Sequence, residues 1–207
     1  MTEATNLRMV DGKPDGITPS QTVGPFFAYM LTPGGPEYSA AERIFFDDLV
    51  TPDAVGSPIR IEGYILDGDG EPIVDALVEL WQPDGDGRFA GQAGANTAFR
   101  GFGRTDVDTN GFFSFRTVRP GVVPGPNGGS QAPHINVSIL ARGVLKRLFT
   151  RIYFEGESAN ESDPILALVP AERRKTLIAL RKERGGDTVY TFNIRLQGGD
   201  ETVFFEA

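Results

Sequence analysis

Glycine or proline interrupts this chain so often that no regular element can run far. The 207 residues include 26 glycines and 15 prolines, and both residue types punctuate turns rather than fill helix or strand interiors. Between the interruptions the side chains alternate. Ile59, Ile61, Gly63 and Ile65 stand against Arg60, Glu62, Tyr64 and Leu66, the period-two pattern of a strand with one face in a core. Asp67-Gly68-Asp69-Gly70 then turns the chain. The same reading predicts strands over 76–82, 112–118, 134–141, 148–154, 189–196 and 202–205. It predicts one helix over 170–182, with Pro170 at a permitted first-turn position, Gly185-Gly186 beyond the end, and Leu177, Ile178 and Leu180 facing the sheets. The expected fold is mainly β: a β-sandwich of two packed sheets with long loops.

A chain of this length can bury one sizeable core, so residues 1–207 are read as a single domain. Residues 1–58 form an extended N-terminal arm and 59–207 the sandwich core. The arm carries prolines at positions 14, 19, 25, 33, 36, 52 and 58, which remove amide donors and disfavour regular ladders. A net charge of -8 argues against nucleic acid, whose binding draws on concentrated positive charge, and against anionic membranes. No apolar run approaches the roughly 20 residues of a membrane span, and the polar start lacks a signal-peptide core. The expected location is therefore the cytoplasm. With no cysteine in the chain, disulfides are excluded.

The chemistry-bearing residues are few. His134 is the single histidine, and the five tyrosines leave residues 65–152 without one. Catalytic transition-metal sites gather several imidazole, thiolate or phenolate groups, and a hydroxyl nucleophile needs a base within reach. A chain so poor in donors does not hold a reactive centre alone. His134 opens the segment HINVSIL, where it shares one face with Asn136 and Ser138 while Ile135, Val137 and Ile139 face the core. Asp106-Val-Asp108-Thr-Asn110-Gly111 matches the start of a calcium loop, but Thr117 stands where its last ligand should be. A hairpin turn accounts for the same residues. The cluster Arg173, Arg174, Lys175, Arg181, Lys182 and Arg184 is expected to be a solvated face.

Three blocks together resemble the intradiol ring-cleaving dioxygenases: VELWQPDGDGRF at 78–89, GFGRTDVDTNGFFSFRTVRPGVV at 101–123 and APHINVSI at 132–139. TPSQTVGPFF at 18–27, TRIYF at 150–154 and IRLQGGDETVFFE at 194–206 extend the resemblance over nearly the whole chain. In that family, catalytic subunits hold a ferric ion through two tyrosinates and two histidines. The resemblance implies that three of these four are missing here. Phe89 stands in place of the tyrosine of Gly-Arg-Tyr, Val123 in place of that of Pro-Tyr-Pro, and the His-x-His pair is His134-Ile135-Asn136. The arginine three residues before the first histidine is Gln131. No metal ligand set is therefore expected in this chain, and no catalytic residue.

What the resemblance implies instead is a non-catalytic subunit of a hetero-oligomer. It would complete the substrate pocket of a homologous iron-bearing partner subunit that holds Fe(III) and cleaves protocatechuate with O2 to 3-carboxy-cis,cis-muconate. The positions matching the family's contributions to the partner pocket are Thr22, Gly24, Pro25 and Arg142. Two alternatives remain open at this point. One is a self-sufficient dioxygenase with relocated ligands such as Tyr64 or Tyr153; the other is a calcium- or carbohydrate-binding β-sandwich module.

Overall fold

A computed structural model describes residues 46–206 except 126 and 127, together with Met9–Val10, Lys13–Pro14 and Leu31. The expected arm therefore lies largely outside the described residues, apart from one short ladder. Strand β1 (Met9–Val10) pairs antiparallel with β2 (Lys13–Pro14). From 46 onward the architecture is β-rich. In chain order it contains β3 (Pro58–Leu66), β4 (Leu77–Trp81), β5 (Phe102–Asp106), β6 (Phe112–Val118), β7 (Val123–Pro124), β8 (Ser130–Gln131), β9 (His134–Leu140), β10 (Leu148–Phe154), β11 (Ile178–Arg184), β12 (Asp187–Thr191) and β13 (Ile194–Arg195).

Two wings arise from one continuous ladder. β6, β3, β12 and β11 form the first, and β10, β9, β4 and β5 the second. They are joined where β10 and β11 run parallel through only two residue pairs, Tyr153↔Ile178 and Phe154↔Ala179. The far edges, β5 and β6, are bridged by residues 46–49. Phe46 O accepts from Arg104 N at 2.9 Å, Asp47 O from Arg116 N at 2.7 Å, and Leu49 N donates to Arg116 O at 2.8 Å. Between the wings, Ile59, Ile61, Ile65, Phe113 and Phe115 meet Val78, Leu80, Ile135, Val137, Ile139 and Ile152 in one buried cluster. The alternation read from sequence is thus the alternation of burial, and the expected sandwich of two packed faces is what these residues build.

One expectation is overturned. Residues 170–182 are not a helix: a 3-10 turn, Arg174–Leu177, leads directly into β11. Leu177 and Ala179 are fully buried while Leu180 is 53% exposed. A lone helix of this length is marginal in water, whereas the ladder gives Ile178 and Ala179 main-chain partners on β10. Gly185 and Gly186 both have positive φ, 61 and 92°, and close a two-residue β11–β12 hairpin whose flanking pair is Arg184↔Asp187. The segment 189–196 is interrupted at Phe192-Asn193, without a change of register, into β12 and β13, both parallel to β3. The segment 202–205 contributes only the bridge Phe149↔Phe205. The basic cluster is dispersed by the same change: Arg184 reaches buried Glu62, Lys175 reaches Asp200, and Arg173 and Arg174 donate to loop carbonyls.

The interruption explains Gly63. Phe192 N donates to Glu62 O, and Tyr64 N donates to Asn193 Oδ1, so a Cβ at Gly63 would overlap the Phe192 carbonyl. The clash is with backbone, which has nowhere to go. Gly63→Ala is expected to lower the unfolding free energy by at least ~2 kcal/mol, read from the midpoint of a urea denaturation curve.

Candidate functional site

The five positions matched to iron ligands and their neighbouring arginine gather where the 84–89 loop, β7–β8 and the start of β9 meet. Asp84 shapes the first loop, since its Oδ1 accepts from Asp86 N and Arg88 N and its Oδ2 from Asn96 N. At Gly87, φ is 82° and a Cβ would overlap the Val122 carbonyl, so this loop and the 121–123 segment touch backbone to backbone. Phe89 stacks on Trp81 with centroids 5.8 Å apart and planes 19° from parallel. Val123 is buried and paired with Gln131 across β7–β8. Asn136 sits opposite Trp81 and donates to its carbonyl at 3.3 Å.

His134 is the one imidazole among them and it is sealed, with 1% exposure. Its Nδ1 lies 2.7 Å from Ala132 O. A carbonyl can only accept, so the proton of the neutral ring is on Nδ1. Burial depresses its pKa to about 4, helped by the nearby Arg151 charge and opposed by the Ala132 hydrogen bond and by Asp163. The cover is built from residues 158–177. There Asp163, 1% exposed, accepts from Ala132 N at 2.8 Å, Tyr153 OH at 3.0 Å, Ile165 N at 2.9 Å and Leu166 N at 2.7 Å.

This donor set does not fit a ferric ion. The side chains of Phe89 and Val123 offer no oxygen, Asn136 offers only a neutral amide whose nitrogen donates to backbone, and one buried imidazole remains. Relocated tyrosinates do not repair it. Tyr153 does face His134, ring centroids 5.8 Å apart, but its phenol donates to Asp163 and burial pushes its pKa up to about 12. Tyr64 lies on β3, 42% exposed and packed on Phe112, in the other wing.

Sequence reasoning overlooked Arg151. It stands opposite Asn136 on β10, and its Nη1 donates to Gln131 Oε1 at 2.8 Å while Nε2 of the same glutamine donates to Pro124 O. A guanidinium thus sits among the positions matched to the family's ligands. The signal available in sequence was a charged residue at a position of TRIYF that faces away from the core, which alternation alone does not interpret. The calcium alternative finds no support in the loop geometry. Asp108 Oδ1 accepts from Asn110 N at 2.7 Å and Phe112 N at 2.9 Å, and those backbone bonds hold its carboxyl below the usual range. Asp67 does the same for Asp69 N and Glu71 N. Among the described residues no cluster of three or more His, Cys, Asp or Glu could hold a metal.

Arg142 is elsewhere. It follows the far end of β9, roughly 25 Å from His134 at about 3.3 Å per residue. Its Nε approaches Asp75 Oδ2 at 3.1 Å as a contact of charges rather than an aligned hydrogen bond, and its side chain is 68% exposed. Thr22, Gly24 and Pro25 lie outside the described residues.

The depressed His134 pKa carries a stability consequence. Between the unfolded value of 6.5 and the folded value of about 4, the unfolded chain takes up a proton that the folded chain refuses. Stability therefore falls as pH drops through that window. His134→Gln should flatten the fall by up to about 3 kcal/mol, measured as the difference between urea-unfolding free energies of the two proteins at pH 7 and pH 4.

Comparison with known proteins places these features in a lineage. The family model described as "Dioxygenase" matches residues 34–198. The chain is 45% identical over 195 residues to the protocatechuate 3,4-dioxygenase alpha chain of Burkholderia cepacia, covering 91% of this chain and 96% of that one. It is 33% identical over 184 residues to the beta chain from the same organism, covering 81% and 78%. Among solved structures, the dioxygenase domain of a carbohydrate-binding fusion protein from Streptomyces sp. SirexAA-E aligns with a TM-score of 0.59 at 28% identity, covering 74% of this chain and 88% of that one. The chain therefore belongs to the intradiol dioxygenases, an iron-dependent family.

Proposed function

We propose that this chain is the non-catalytic α subunit of a protocatechuate 3,4-dioxygenase. It pairs with a homologous β subunit that holds the iron, and together they carry out O2-dependent cleavage of protocatechuate to 3-carboxy-cis,cis-muconate in the cytoplasm. The observation that carries this reading is the donor set itself: Phe89, Val123 and Asn136 stand where three ligands are needed, and His134 is buried against Ala132 O. The alpha-chain relative supports the role and the beta-chain relative supports the kind of partner. Among the described residues no helix is long and apolar enough to cross a membrane.

In this reading the chain's work is positioning and electrostatics. Thr22, Gly24 and Pro25 reach the partner's pocket, where glycine permits close backbone approach and proline fixes the segment's direction. Arg142 presents a guanidinium from the turn after β9. Its Nε lies beside Asp75 and the side chain is 68% exposed, so its outer nitrogens can donate to the substrate carboxylate as a fork.

Co-expression with the homologous β chain tests the proposal. The complex should contain iron and turn over protocatechuate, whereas the isolated chain should show neither iron nor the visible tyrosinate charge-transfer band. Iron in stoichiometric amount in the isolated chain, with that band, would overturn it. Within the complex, Arg142→Ala should lower kcat/KM by about tenfold or more, as expected for losing a charged hydrogen bond, with iron content unchanged. Arg142→Lys should recover part of the loss.

A further inference from the structure

The outward face of the second wing holds a cavity of about 200 Å³. Its walls follow from the register. Trp81 stands opposite Phe102 on one side and Asn136 on the other, while Ser138 stands between Glu79 and Phe149. The rings of Trp81, Phe102 and Phe149 therefore surround one space, with Asn136, Ser138 and Arg147 at its polar side. Trp81 is 39% exposed, unusual for the chain's single tryptophan in a fold with a complete core beneath it.

The charges in this space are unequal. Glu79 is 5% exposed and both of its oxygens are occupied: Oε1 accepts from Arg104 Nε at 2.8 Å, and Oε2 accepts from Ser138 Oγ at 3.0 Å and from Arg147 Nη2. Two guanidiniums against one carboxylate leave the site with an excess of one positive charge. Arg104 is nearly enclosed, but the Arg147 side chain remains 46% exposed and lies over the Phe149 ring at 5.4 Å. An aromatic box, a half-exposed guanidinium at its rim that shares one buried carboxylate with Arg104, and no further acidic group among the lining residues describe a receptor for a flat ring bearing one negative charge. The size agrees, since an apolar cavity of about 150 Å³ admits benzene and this one is larger by about the volume of a carboxylate.

We infer that this cavity binds an aromatic monocarboxylate of benzoate type, with the ring among Trp81, Phe102 and Phe149 and the carboxylate on the outer N–H groups of Arg147. The site belongs to this chain alone, involves no bond making, and does not depend on the identity of any partner.

Trp81 makes the test direct, because it is the only tryptophan and lines the cavity. The full-length chain is titrated with benzoate, benzamide and acetate while tryptophan emission is followed. Benzoate should give a saturable change. Benzamide, the same ring without the charge, should bind at least tenfold more weakly, and acetate should give no saturable change over the same range. Arg147→Gln, with a native circular dichroism spectrum, should weaken benzoate at least tenfold; should that variant fail to fold, the benzoate-to-benzamide ratio decides alone. A lack of saturation with benzoate, equal affinity for benzamide, or unchanged affinity in a folded Arg147→Gln protein would overturn the inference. None of these readouts involves iron or turnover, so its failure is separable from failure of the subunit proposal.

Discussion

Four residues between the two free strand edges hold the sheet together as a unit. Phe46, Asp47 and Leu49 supply backbone groups to Arg104 on β5 and to Arg116 on β6, so the ladder that begins at one edge nearly returns to the other. Without that bridge both edges would present rows of unpaired amides and carbonyls, a template for aggregation. Gly103 is part of the arrangement, because a Cβ there would press on Leu49 and on the Phe46 carbonyl. Closure also fixes which faces are interior. Once β9 has committed Ile135, Val137 and Ile139 to the core, His134, Asn136 and Ser138 have no choice but the outer face, and the chemistry of the molecule is arranged there.

The three aspartate turns show how one physical requirement can imitate another. Asp67, Asp84 and Asp108 each place Oδ1 on the amides two and four residues ahead. A cation loop and a tight turn both need an oxygen at the centre of a curved backbone. The turn fills that centre with N–H groups, and the sequence looks alike until the acceptors are followed to their partners.

The same contrast separates what could be read in advance from what could not. Strands 112–118 and 148–154 were legible to the residue because alternation reports a face-to-face core and little competes with it. Segment 170–182 was misread because Pro170 and Gly185-Gly186 carry helix punctuation in isolation, while a two-residue parallel bridge to β10 depends on a partner far away in sequence. β5 went unnoticed for a related reason: its Gly103 weakens the strand signal locally and is explained by contacts distant in sequence, Leu49 and the Phe46 carbonyl. At the site, Phe89, Val123 and Asn136, matched by resemblance to ligand positions, were visible as residue types. The groups that pair around them, Arg151 with Gln131 and Asp163 with Tyr153, were not, since each is a pairing across strands or with the covering segment.

Arg151 has a bearing on the history open to such a chain. A fixed positive charge resides beside the positions matched to the family's ligands, where it adds to burial, the larger cause, in keeping the His134 imidazole neutral, and its guanidinium is anchored by Gln131. Reinstating phenolates and a second imidazole one at a time would meet repulsion between that cation and any incoming trivalent ion, while removing Arg151 first would strand Gln131 without its donor. For the proposed subunit such pairing acts as a ratchet: each contact that steadies the locus raises the barrier to installing a ligand set there, and the two chains of the enzyme become committed to separate careers.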